Sequence, residues 1–381
     1  MTSFQIRIEQ SVEAATGYWG ALSGDALLSP YQSVGWCLSY TAAARKSKVP
    51  ECRIAVILQE GTVVGLLPFQ LTRRMGIREL SFLGADKGNQ NTGVWAKNFY
   101  QEMTGETAQR LLADIAQHTG ANLISLQNIP DTWHERQHPL LLETATQSPS
   151  MIFVGEVTDD FDAFFKATQS KATRKKLQRK KRALEEAGGY RVRLGSTPSE
   201  TNAILDIFLD QRARRESLTG IPNAFSDEAS QEFLKTLASI DQEGLTFQAW
   251  ALDVADEPRA TYLCLRQGDT LFGYANSLAH DEFFPQSPGI VLLMEIIRYA
   301  CADPAIRFLD LGLGDERYKH GWTEPASLSD CYLAVSAKGK AVAALDRAKT
   351  RLKTRVRNSP TLWSGIRKAR RLMARGHDQA S

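Results

Sequence analysis

The chain has 381 residues, of which 43% are apolar and 23% are charged. These values are typical of globular proteins and exclude disordered and fibrous chains. The length favours two or three domains. The most apolar helical stretch, residues 290–302, is interrupted by Glu295 and Arg298 and is too short to cross a bilayer.

The N-terminal segment and the cysteines indicate a cytoplasmic protein. Arg7 and Glu9 stand where a signal peptide needs an apolar core, so we expect no export signal. The five cysteines are scattered without CxxC spacing, which is typical of reduced thiols in the cytosol. His134 and His138 have helical spacing, but their surroundings supply no third ligand. We interpret this pair as surface residues and predict no metal site.

The hydrophobic pattern predicts the same succession of elements in both halves of the chain. The first half contains a strand at 4–8, helices at 11–22 and 32–45, strands at 52–58, 62–71 and 77–83, a helix at 105–118 and a strand at 122–126. The second half contains a strand at 190–194, helices at 198–216 and 226–240, strands at 247–252, 259–266 and 270–277, a helix at 289–302 and a strand at 307–311. This order predicts an α/β (α+β) fold whose sheets are mixed and mostly antiparallel.

We predict three segments: an N-terminal domain at 1–160, a C-terminal domain at 161–336 and a basic helical tail at 337–381. Nine basic residues between 166 and 182 precede a glycine pair that would end a helix. This run is either a solvated helix face or a positive rim over an anionic substrate. The pattern favours the solvated face.

The start of the 289–302 helix has the features of a phosphate-binding helix terminus. Ser287 suits the N-cap, Pro288 suits the first helical position, and Gly289 permits a close approach of the backbone. The unpaired N–H groups and the dipole of such a terminus attract phosphate oxygens. With the following Ile290 and Val291, these residues are our candidate cofactor-binding set, although the same residues could serve simple helix initiation.

The sequence LDLGLGDERYKHGWT, which follows the last predicted strand, brings several polar side chains within two helical turns. Transfer of an acyl group from a thioester to an amine needs a base and a group that stabilises the leaving thiolate. Asp315 or Glu316 could be the base, Tyr318 the donor to the thiolate, and Lys319 a substrate ligand. The alternative makes the two acids first-turn helix residues, Tyr318 and Trp322 packing residues, and Lys319 a solvent-exposed side chain.

These motifs carry a resemblance to a known family. YANSLAHDEFFPQSPGIVLLMEIIRYA and FLDLGLGDERYKHGW resemble the CelD-like acetyltransferases, a GNAT branch associated with bacterial exopolysaccharide, cellulose and holdfast biosynthesis. SPYQSVGWCLSY, VVGLLPFQLTRR and TRKKLQRKKRALEEAGG extend the resemblance upstream. It implies two tandem GNAT-like domains, as in the Fem transferases, with acetyl-CoA bound by the second domain.

The resemblance also implies the acceptor, an amine of a polysaccharide precursor or a lipid-linked sugar. The candidate catalytic residues are then Asp315, Glu316 and Tyr318. The candidate substrate ligands are Lys319, Trp322, Tyr274 and Asn276. Two alternatives remain: a Fem-like transfer of an aminoacyl group from tRNA, and a noncatalytic GNAT-fold effector.

The C-terminal tail is strongly basic. Residues 338–375 contain thirteen basic residues and one acid, Asp346, so the tail is about +12 and the rest of the chain about −9. An apolar stripe formed by Ala341, Leu345, Ala348, Leu352 and Val356 accompanies Arg347, Arg351 and Arg355, and a second amphipathic segment follows Pro360. We expect peripheral association with the anionic inner membrane first. The arginines also suit a phosphate-rich ligand, for which the resemblance to holdfast acetyltransferases implies a cyclic dinucleotide such as cyclic-di-GMP as the second candidate. Sparse aromatic residues disfavour nucleic acid.

Overall fold

The computed structural model describes residues 4–22, 24, 26–44, 49–240 and 244–359. The described residues form two compact units, one made of residues up to Met151 together with 326–359, the other of residues 152–325. The chain passes from the first unit to the second and then returns. Among the described helices, none combines the length and the hydropathy needed to cross a membrane.

The first stretch of chain builds most of the first unit. Its elements are β1 (Phe4–Glu9), α1 (Val12–Leu22), β2 (Ala26–Leu28), α2 (Val34–Ala44), β3 (Glu51–Gln59), β4 (Thr62–Arg74), β5 (Ile77–Phe82), β6 (Val94–Ala96), α3 (Lys97–Glu102), α4 (Gly105–Thr119), β7 (Leu123–Pro130), β8 (Thr132–Trp133), β9 (Arg136–Gln137) and β10 (Thr146–Glu156). The chain passes from the first unit to the second within β10, after Met151.

The rest of the chain builds the second unit and then completes the first. Its elements are α5 (Phe161–Thr168), α6 (Lys171–Glu186), β11 (Tyr190–Leu194), α7 (Pro198–Thr219), α8 (Glu228–Ser239), β12 (Leu245–Val254), β13 (Glu257–Gln267), β14 (Thr270–Leu278), α9 (Pro288–Ala302), β15 (Phe308–Asp310), β16 (Glu324–Ala334) and α10 (Ala337–Asn358). The return to the first unit falls within β16.

The sheets of the two units have the same strand pattern. In the first unit the order is β1-β3-β4-β5-β7-β16, and every neighbouring pair is antiparallel except β5 and β7. In the second unit the order is β11-β12-β13-β14-β15-β10, and the one parallel pair in this series is β14 and β15. The predicted fold class, an α/β fold with mixed, mostly antiparallel sheets and flanking helices, is confirmed.

One face of the first sheet carries the core of its unit. Phe69, Leu80, Phe82 and Leu126 are buried in a cluster with residues of α4. On the opposite face, α10 packs through Val342 and Ala343 against buried residues of the sheet, namely Ile77, Leu123 and Tyr332. The helix α10 is therefore part of the first unit's structure.

Local sequence signals set the limits of α7, which contributes to the site described below. Thr197 and Glu200 form a capping box, in which each side chain accepts a hydrogen bond from the other's backbone N–H. Pro198 occupies the first helical position. Gly220 ends the helix in the left-handed conformation, with φ of 65°.

Each helix and strand predicted in the two halves is present, with its ends shifted by a few residues at most. The elements without a prediction include β10 and β16, the two strands in which the chain changes unit. The structural units also differ from the predicted domains, because residues 326–359 group with the first unit rather than with 161–336 or with a separate tail. The second amphipathic segment predicted after Pro360 lies outside the described residues.

The expectation that His134 and His138 form a surface pair is wrong for His138. This side chain is 1% exposed and packs against the rings of Tyr100 and Trp133. Its Nδ1 accepts a hydrogen bond from the Leu140 N–H at 3.1 Å. Burial lowers the pKa of His138 to about 3, so the ring is a neutral packing residue.

Candidate functional site

The parallel pair of the second unit is short, and the two strands part early. β14 and β15 are paired only from Thr270 to Phe272 and from Phe308 to Asp310. β15 ends at Asp310, whereas β14 continues to Leu278. From Gly273 onward, this edge of β14 has no partner strand among the described residues, and we call the region where the two strands have parted the notch.

A register shift lies beside the notch. Across β13 and β14, Cys264 pairs with Gly273 and Leu263 pairs with Ala275, which leaves Tyr274 as an extra residue. Such a bulge bends the strand and redirects its side chains. The ring of Tyr274 accordingly contacts Phe225, at a centroid distance of 6.1 Å. The predicted substrate ligand Tyr274 thus lies next to the segment between α7 and α8.

Tyr262, Asn276 and Tyr318 form a polar cluster at the notch. The amide nitrogen of Asn276 donates to the Tyr318 hydroxyl at 3.1 Å. The Tyr262 side chain is hydrogen-bonded within the same group. A Cβ built on Gly273 would lie 2.8 Å from the Tyr262 hydroxyl, so glycine leaves room for this hydroxyl at the point where the strands part. The structure therefore brings the predicted residues Asn276 and Tyr318 together.

The Tyr318 hydroxyl is a hydrogen-bond donor at neutral pH. Burial and the charge of Glu316 raise the pKa of Tyr318 to about 12, against the opposing effect of hydrogen bonds from its neighbours. A protonated phenol in a partly enclosed polar cluster can stabilise negative charge that develops on a reacting group.

Arg212 of α7 adds a cation to the same region. Its Nε donates to the Asn223 side-chain oxygen at 3.2 Å, and one terminal nitrogen lies 3.4 Å from the Asn276 carbonyl oxygen. The guanidinium also lies 5.6 Å from the centre of the Phe225 ring. Burial lowers the pKa of Arg212, but a guanidinium remains charged at neutral pH. The sequence pattern does not distinguish Arg212 from the other arginines of α7.

Asp310 is a second residue of the site that the sequence pattern does not predict. It is the last residue of β15, it is 1% exposed, and its carboxylate accepts a hydrogen bond from the Gly312 N–H at 2.7 Å. Burial raises the pKa of Asp310 to about 7, although the Gly312 hydrogen bond and the charge of Lys319 oppose the shift. A titratable carboxyl group therefore lies where the two strands separate.

Lys319 has a different environment from the one expected of a substrate ligand. It is 2% exposed, and its ammonium donates to the carbonyl oxygens of Gly312, Leu313 and Gly314, at 3.2, 2.6 and 3.3 Å. It also pairs with Glu316 at 2.9 Å. Since an ammonium has three donors, these contacts satisfy it. Lys319 therefore stabilises the loop after β15.

Trp322 likewise lies in the core rather than at the surface of a site. It is 4% exposed, and its ring stacks on Phe165 at 5.5 Å and on Phe164 at 6.3 Å. This environment matches the packing alternative for Trp322 and corrects its assignment to substrate. No polar contact is needed to explain its position.

The two predicted acids have different partners. Asp315 is exposed and accepts a hydrogen bond from the Nε2 atom of His320 at 2.7 Å. Glu316 is half exposed, pairs with Lys319, and exerts its charge on both Tyr318 and Tyr262. Of the two carboxylates, Glu316 is therefore the one coupled to the polar cluster.

The start of α9 lies at the far end of the notch. Ser287 has φ of 60° and ψ of 59°, and its side chain does not cap the helix. A Cβ on Gly289 would lie 2.4 Å from the side chain of Leu278, the last residue of β14, so glycine allows the helix to begin against the end of the strand. Among the described residues no backbone carbonyl accepts from the Gly289 N–H.

Helix α6 brings positive charge to this helix terminus. The Lys180 ammonium donates to the Ser287 hydroxyl at 2.6 Å. Burial, followed by the charges of Lys176 and Arg179, lowers the pKa of Lys180. Lys181 is tied down by Glu295 at 3.1 Å, whereas Lys176 and Arg179 are exposed. Of the residues in the cofactor-binding prediction, Ile290 is half-buried and Val291 is buried.

The corresponding position in the first unit is filled by the protein itself. β5 and β7 are also paired in parallel over three residues, up to Ser81 and Ser125. Beyond that point, Asn91 donates from its backbone to the Asn128 carbonyl oxygen at 3.0 Å and from its side chain to the Gln127 carbonyl oxygen at 2.8 Å. Asn91 is fully buried. The loop after β5 thus bonds to β7 where the strands part, and the open notch belongs to the second unit.

The remaining predicted residues lie elsewhere. Arg347, Arg351 and Arg355 are on α10 in the first unit.

The described part of the chain holds no group of three or more His, Cys, Asp or Glu side chains that could bind a metal ion. All five cysteines are buried free thiols.

Comparisons with known proteins agree with this geometry. Residues 171–320 match the family model described as acetyltransferase (GNAT) domain. The sequence search of the curated proteins gives no match. The second unit thus contains a stretch similar to GNAT acetyltransferase domains, and the match includes the notch, the start of α9 and the loop that carries Tyr318.

Solved structures show the same fold over most of the chain. The crystal structure of FemX is 11% identical, with a TM-score of 0.57, and the match covers 90% of this chain and 100% of that one. The C-terminal domain of a putative lysylphosphatidylglycerol synthetase from Agrobacterium fabrum is 9% identical, with a TM-score of 0.52 and coverage of 89% and 96%. A conserved protein of unknown function from Bacteroides thetaiotaomicron is 11% identical, with a TM-score of 0.53 and coverage of 86% and 99%.

The raised pKa of Asp310 predicts a pH dependence of stability. Because the folded protein holds the Asp310 proton more tightly than the unfolded chain, stability should fall as the pH rises from about 4 to about 7. In Asp310→Asn this contribution should disappear, so the difference in unfolding free energy between variant and wild type should change by a few kcal/mol across that window, at roughly 1.4 kcal/mol per pKa unit. Urea unfolding at pH 4.5, 6 and 7.5 measures it. A pH-independent difference would contradict the raised pKa.

Proposed function

We propose that this protein is an acyl-CoA-dependent N-acetyltransferase that acts on an amino sugar, or another amine, of a cell-envelope or exopolysaccharide precursor. The observation that carries the proposal is the notch of the second unit, which has the start of α9 at one end and the Tyr262, Asn276 and Tyr318 cluster along its side. The acceptor class rests on the resemblance of the motifs to CelD-like acetyltransferases.

The start of α9 and Lys180 are suited to the pyrophosphate of acetyl-CoA. The Gly289 N–H, the helix dipole and the Lys180 ammonium supply donors and positive charge at one place. The open edge of β14 from Gly273 to Leu278 offers peptide groups to an extended chain that contains amides. The thioester would then lie near the polar cluster, toward the point where β14 and β15 part.

The chemistry follows from the residues at that point. The acceptor nitrogen attacks the thioester carbonyl carbon, the C–N bond forms, and the C–S bond breaks, with its electron pair going to sulfur. Tyr318 donates a hydrogen bond to the sulfur as negative charge develops. Glu316 accepts the proton that the amine loses, and the thiolate takes up a proton from solvent. We assign the base to Glu316 rather than to Asp315, because Glu316 is electrostatically coupled to Tyr318.

Calorimetric titration of the full chain with acetyl-CoA tests donor binding. We expect Lys180→Ala to weaken binding roughly tenfold, which corresponds to about 1.4 kcal/mol for the lost positive charge near the pyrophosphate. Lys171→Ala, at the other end of α6, is the matched control and should leave the affinity unchanged. Absence of binding at millimolar acetyl-CoA would favour the noncatalytic effector, and binding of aminoacyl-tRNA instead would favour a Fem-like transferase.

Removal of the Tyr318 hydroxyl tests the catalytic assignment. Tyr318→Phe should lower kcat by about 10²-fold, because the sulfur loses its hydrogen-bond donor, while the affinity for acetyl-CoA stays the same. Tyr299→Phe removes a phenol in the same unit that bonds to Gln248 and should have little effect on kcat. Steady-state kinetics combined with calorimetry separates the two quantities. Equal losses of kcat and of acetyl-CoA affinity in Tyr318→Phe would indicate structural damage and reject the assigned role.

We further propose that α10 brings the protein to the inner face of the membrane. Leu345 and Leu352 are 40% and 63% exposed, although both are large apolar side chains. Arg351 and Arg355 are also exposed on the helix. Apolar residues beside arginines are suited to an anionic lipid surface, where burial and charge attraction combine.

Vesicle co-sedimentation tests this association. The R347A/R351A/R355A variant should bind phosphatidylglycerol-containing vesicles about 100-fold more weakly, at about 1 kcal/mol per arginine, whereas phosphatidylcholine vesicles should bind neither protein. Leu352→Asp should also weaken binding, since it removes the apolar contact. Tight binding of cyclic-di-GMP that is lost in the triple variant, without vesicle binding by the wild type, would instead support the dinucleotide.

A further inference from the structure

The first unit contains a polar cavity of about 400 Å³ on the face of its sheet opposite the core cluster. The cavity is lined by residues of α2, of β4, β5, β7 and β16, and of α10. Its volume lies within the ~300–1,000 Å³ range of small-molecule sites. All the lining residues belong to the first unit.

The floor of this cavity is a row of polar residues that crosses four adjacent strands. Gln70 pairs with Ser81, Ser81 pairs with Ser125, and Ser125 pairs with Tyr332. Residues in register on neighbouring strands point to the same face of a sheet. This row therefore replaces, with amide and hydroxyl groups, the apolar side chains expected under a packed helix.

The opposite face shows how unusual the row is. Phe69, Phe82, Ile124 and Leu126 alternate with the row along the same strands, and all four are buried in the apolar core. A sheet covered by a helix would normally be apolar on this face as well, because buried polar groups without partners are costly. Gln70 donates to Ser81 at 3.5 Å and the Tyr332 hydroxyl bonds to Thr350 at 3.4 Å, and the row as a whole is suited to a polar occupant.

Ser125 is the clearest indication of a ligand. It is 2% exposed, lies in the centre of the row and lines the cavity. Gln127, two residues further along β7, is exposed and also lines the cavity. The Ser125 hydroxyl and the neighbouring Gln127 amide can both offer hydrogen bonds to a molecule within the cavity.

The charges around the cavity nearly cancel. Three cations, Arg74, Lys349 and Lys353, face three acids, Glu79, Asp86 and Asp346. Arg74 is already paired with Glu79 and Asp346, and Lys349 lies 3.8 Å from Asp346. The Tyr40 hydroxyl donates to Asp86 at 3.0 Å. This balance gives no strong field for an ion, so the occupant should be neutral and rich in hydrogen-bonding groups.

We infer that this cavity is a carbohydrate-binding site that holds a neutral sugar unit, with its hydroxyls on the Ser81, Ser125 and Gln127 side chains and with the Tyr40 and Tyr332 side chains at its sides. Amides and hydroxyls match the alternating donors and acceptors of a sugar, and tyrosine combines an apolar ring with a polar tip. The inference goes beyond acyl transfer and does not depend on it, because the cavity and the notch belong to different units.

Calorimetry on the full chain with cellotetraose and with the tetramer of N-acetylglucosamine tests the site. At least one of them should bind, with an affinity that is nearly the same at 50 and 500 mM NaCl, because the ligand is neutral. Ser125→Ala and Gln127→Ala should each weaken binding about tenfold or more. Ser327→Ala, at an exposed position of β16 outside the cavity, is the matched control and should bind like the wild type.

Three results would overturn the inference. The first is the absence of binding of either saccharide at millimolar concentration. The second is binding that Ser125→Ala and Gln127→Ala leave unchanged in protein whose thermal unfolding is normal. The third is binding that falls steeply with salt and is lost in Lys353→Ala, which would make the ligand an anion. Acetyl-CoA titration of the same variants should match the wild type, so failure here is distinguishable from failure of the transferase proposal.

Discussion

The three-residue pairing of β14 with β15 is the constraint on which the second unit's site depends. A parallel ladder that continued to Leu278 would close the edge of β14 and bury its peptide groups. Because β15 stops at Asp310, the chain must turn at once. It does so through Gly312 and Gly314, which have φ of 71° and 111°. The loop formed in this way carries Glu316 and Tyr318, and buried Lys319 holds its carbonyl groups.

The same constraint has a different consequence in the first unit. There too the parallel ladder is three residues long, yet Asn91 from the following loop bonds to the backbone of β7 and is itself bonded by Gln32 at 2.8 Å. These hydrogen bonds offset the desolvation of the buried Asn91 amide. Displacing the side chain would leave buried polar groups unpaired and would destabilise the fold. One strand pattern therefore produces an open edge in one unit and a closed one in the other. The first unit's polar cavity lies elsewhere, on the α10 side of the sheet.

The sequence predicted most of the elements, because their hydrophobic periods and caps are local features. It could not predict β10 and β16 in the same way. Their segments contain Pro149 and Pro325 together with several serines, and they lack a clean alternation of apolar and polar residues. Their strand conformation is fixed by neighbours that are distant in sequence, such as β7 for β16. This also explains why residues 326–359 were expected outside the first unit.

Part of the site could be predicted from the positions of polar residues relative to the predicted strands. Asn276 and Tyr318 were selected from a strand and from the loop beyond the next strand, and they do meet. Lys319 and Trp322 were selected on the same basis, but their side chains turn inward, one to carbonyl groups and one to aromatic rings. Spacing within a loop does not show which side chains the tertiary structure turns inward.

Arg212 and Asp310 lie at the site but could not be predicted from the sequence. Arg212 lies within an arginine-rich stretch of α7 and is distinguished only by its contacts with Asn223 and Phe225. Asp310 is distinguished by a burial that the strand pattern LDL does not show. Both residues owe their electrostatic character to desolvation, which is a property of the folded environment. Ser125 also could not be predicted, because in the sequence it is an ordinary strand serine. It becomes part of the polar row only because the strand register places three other polar residues in line with it.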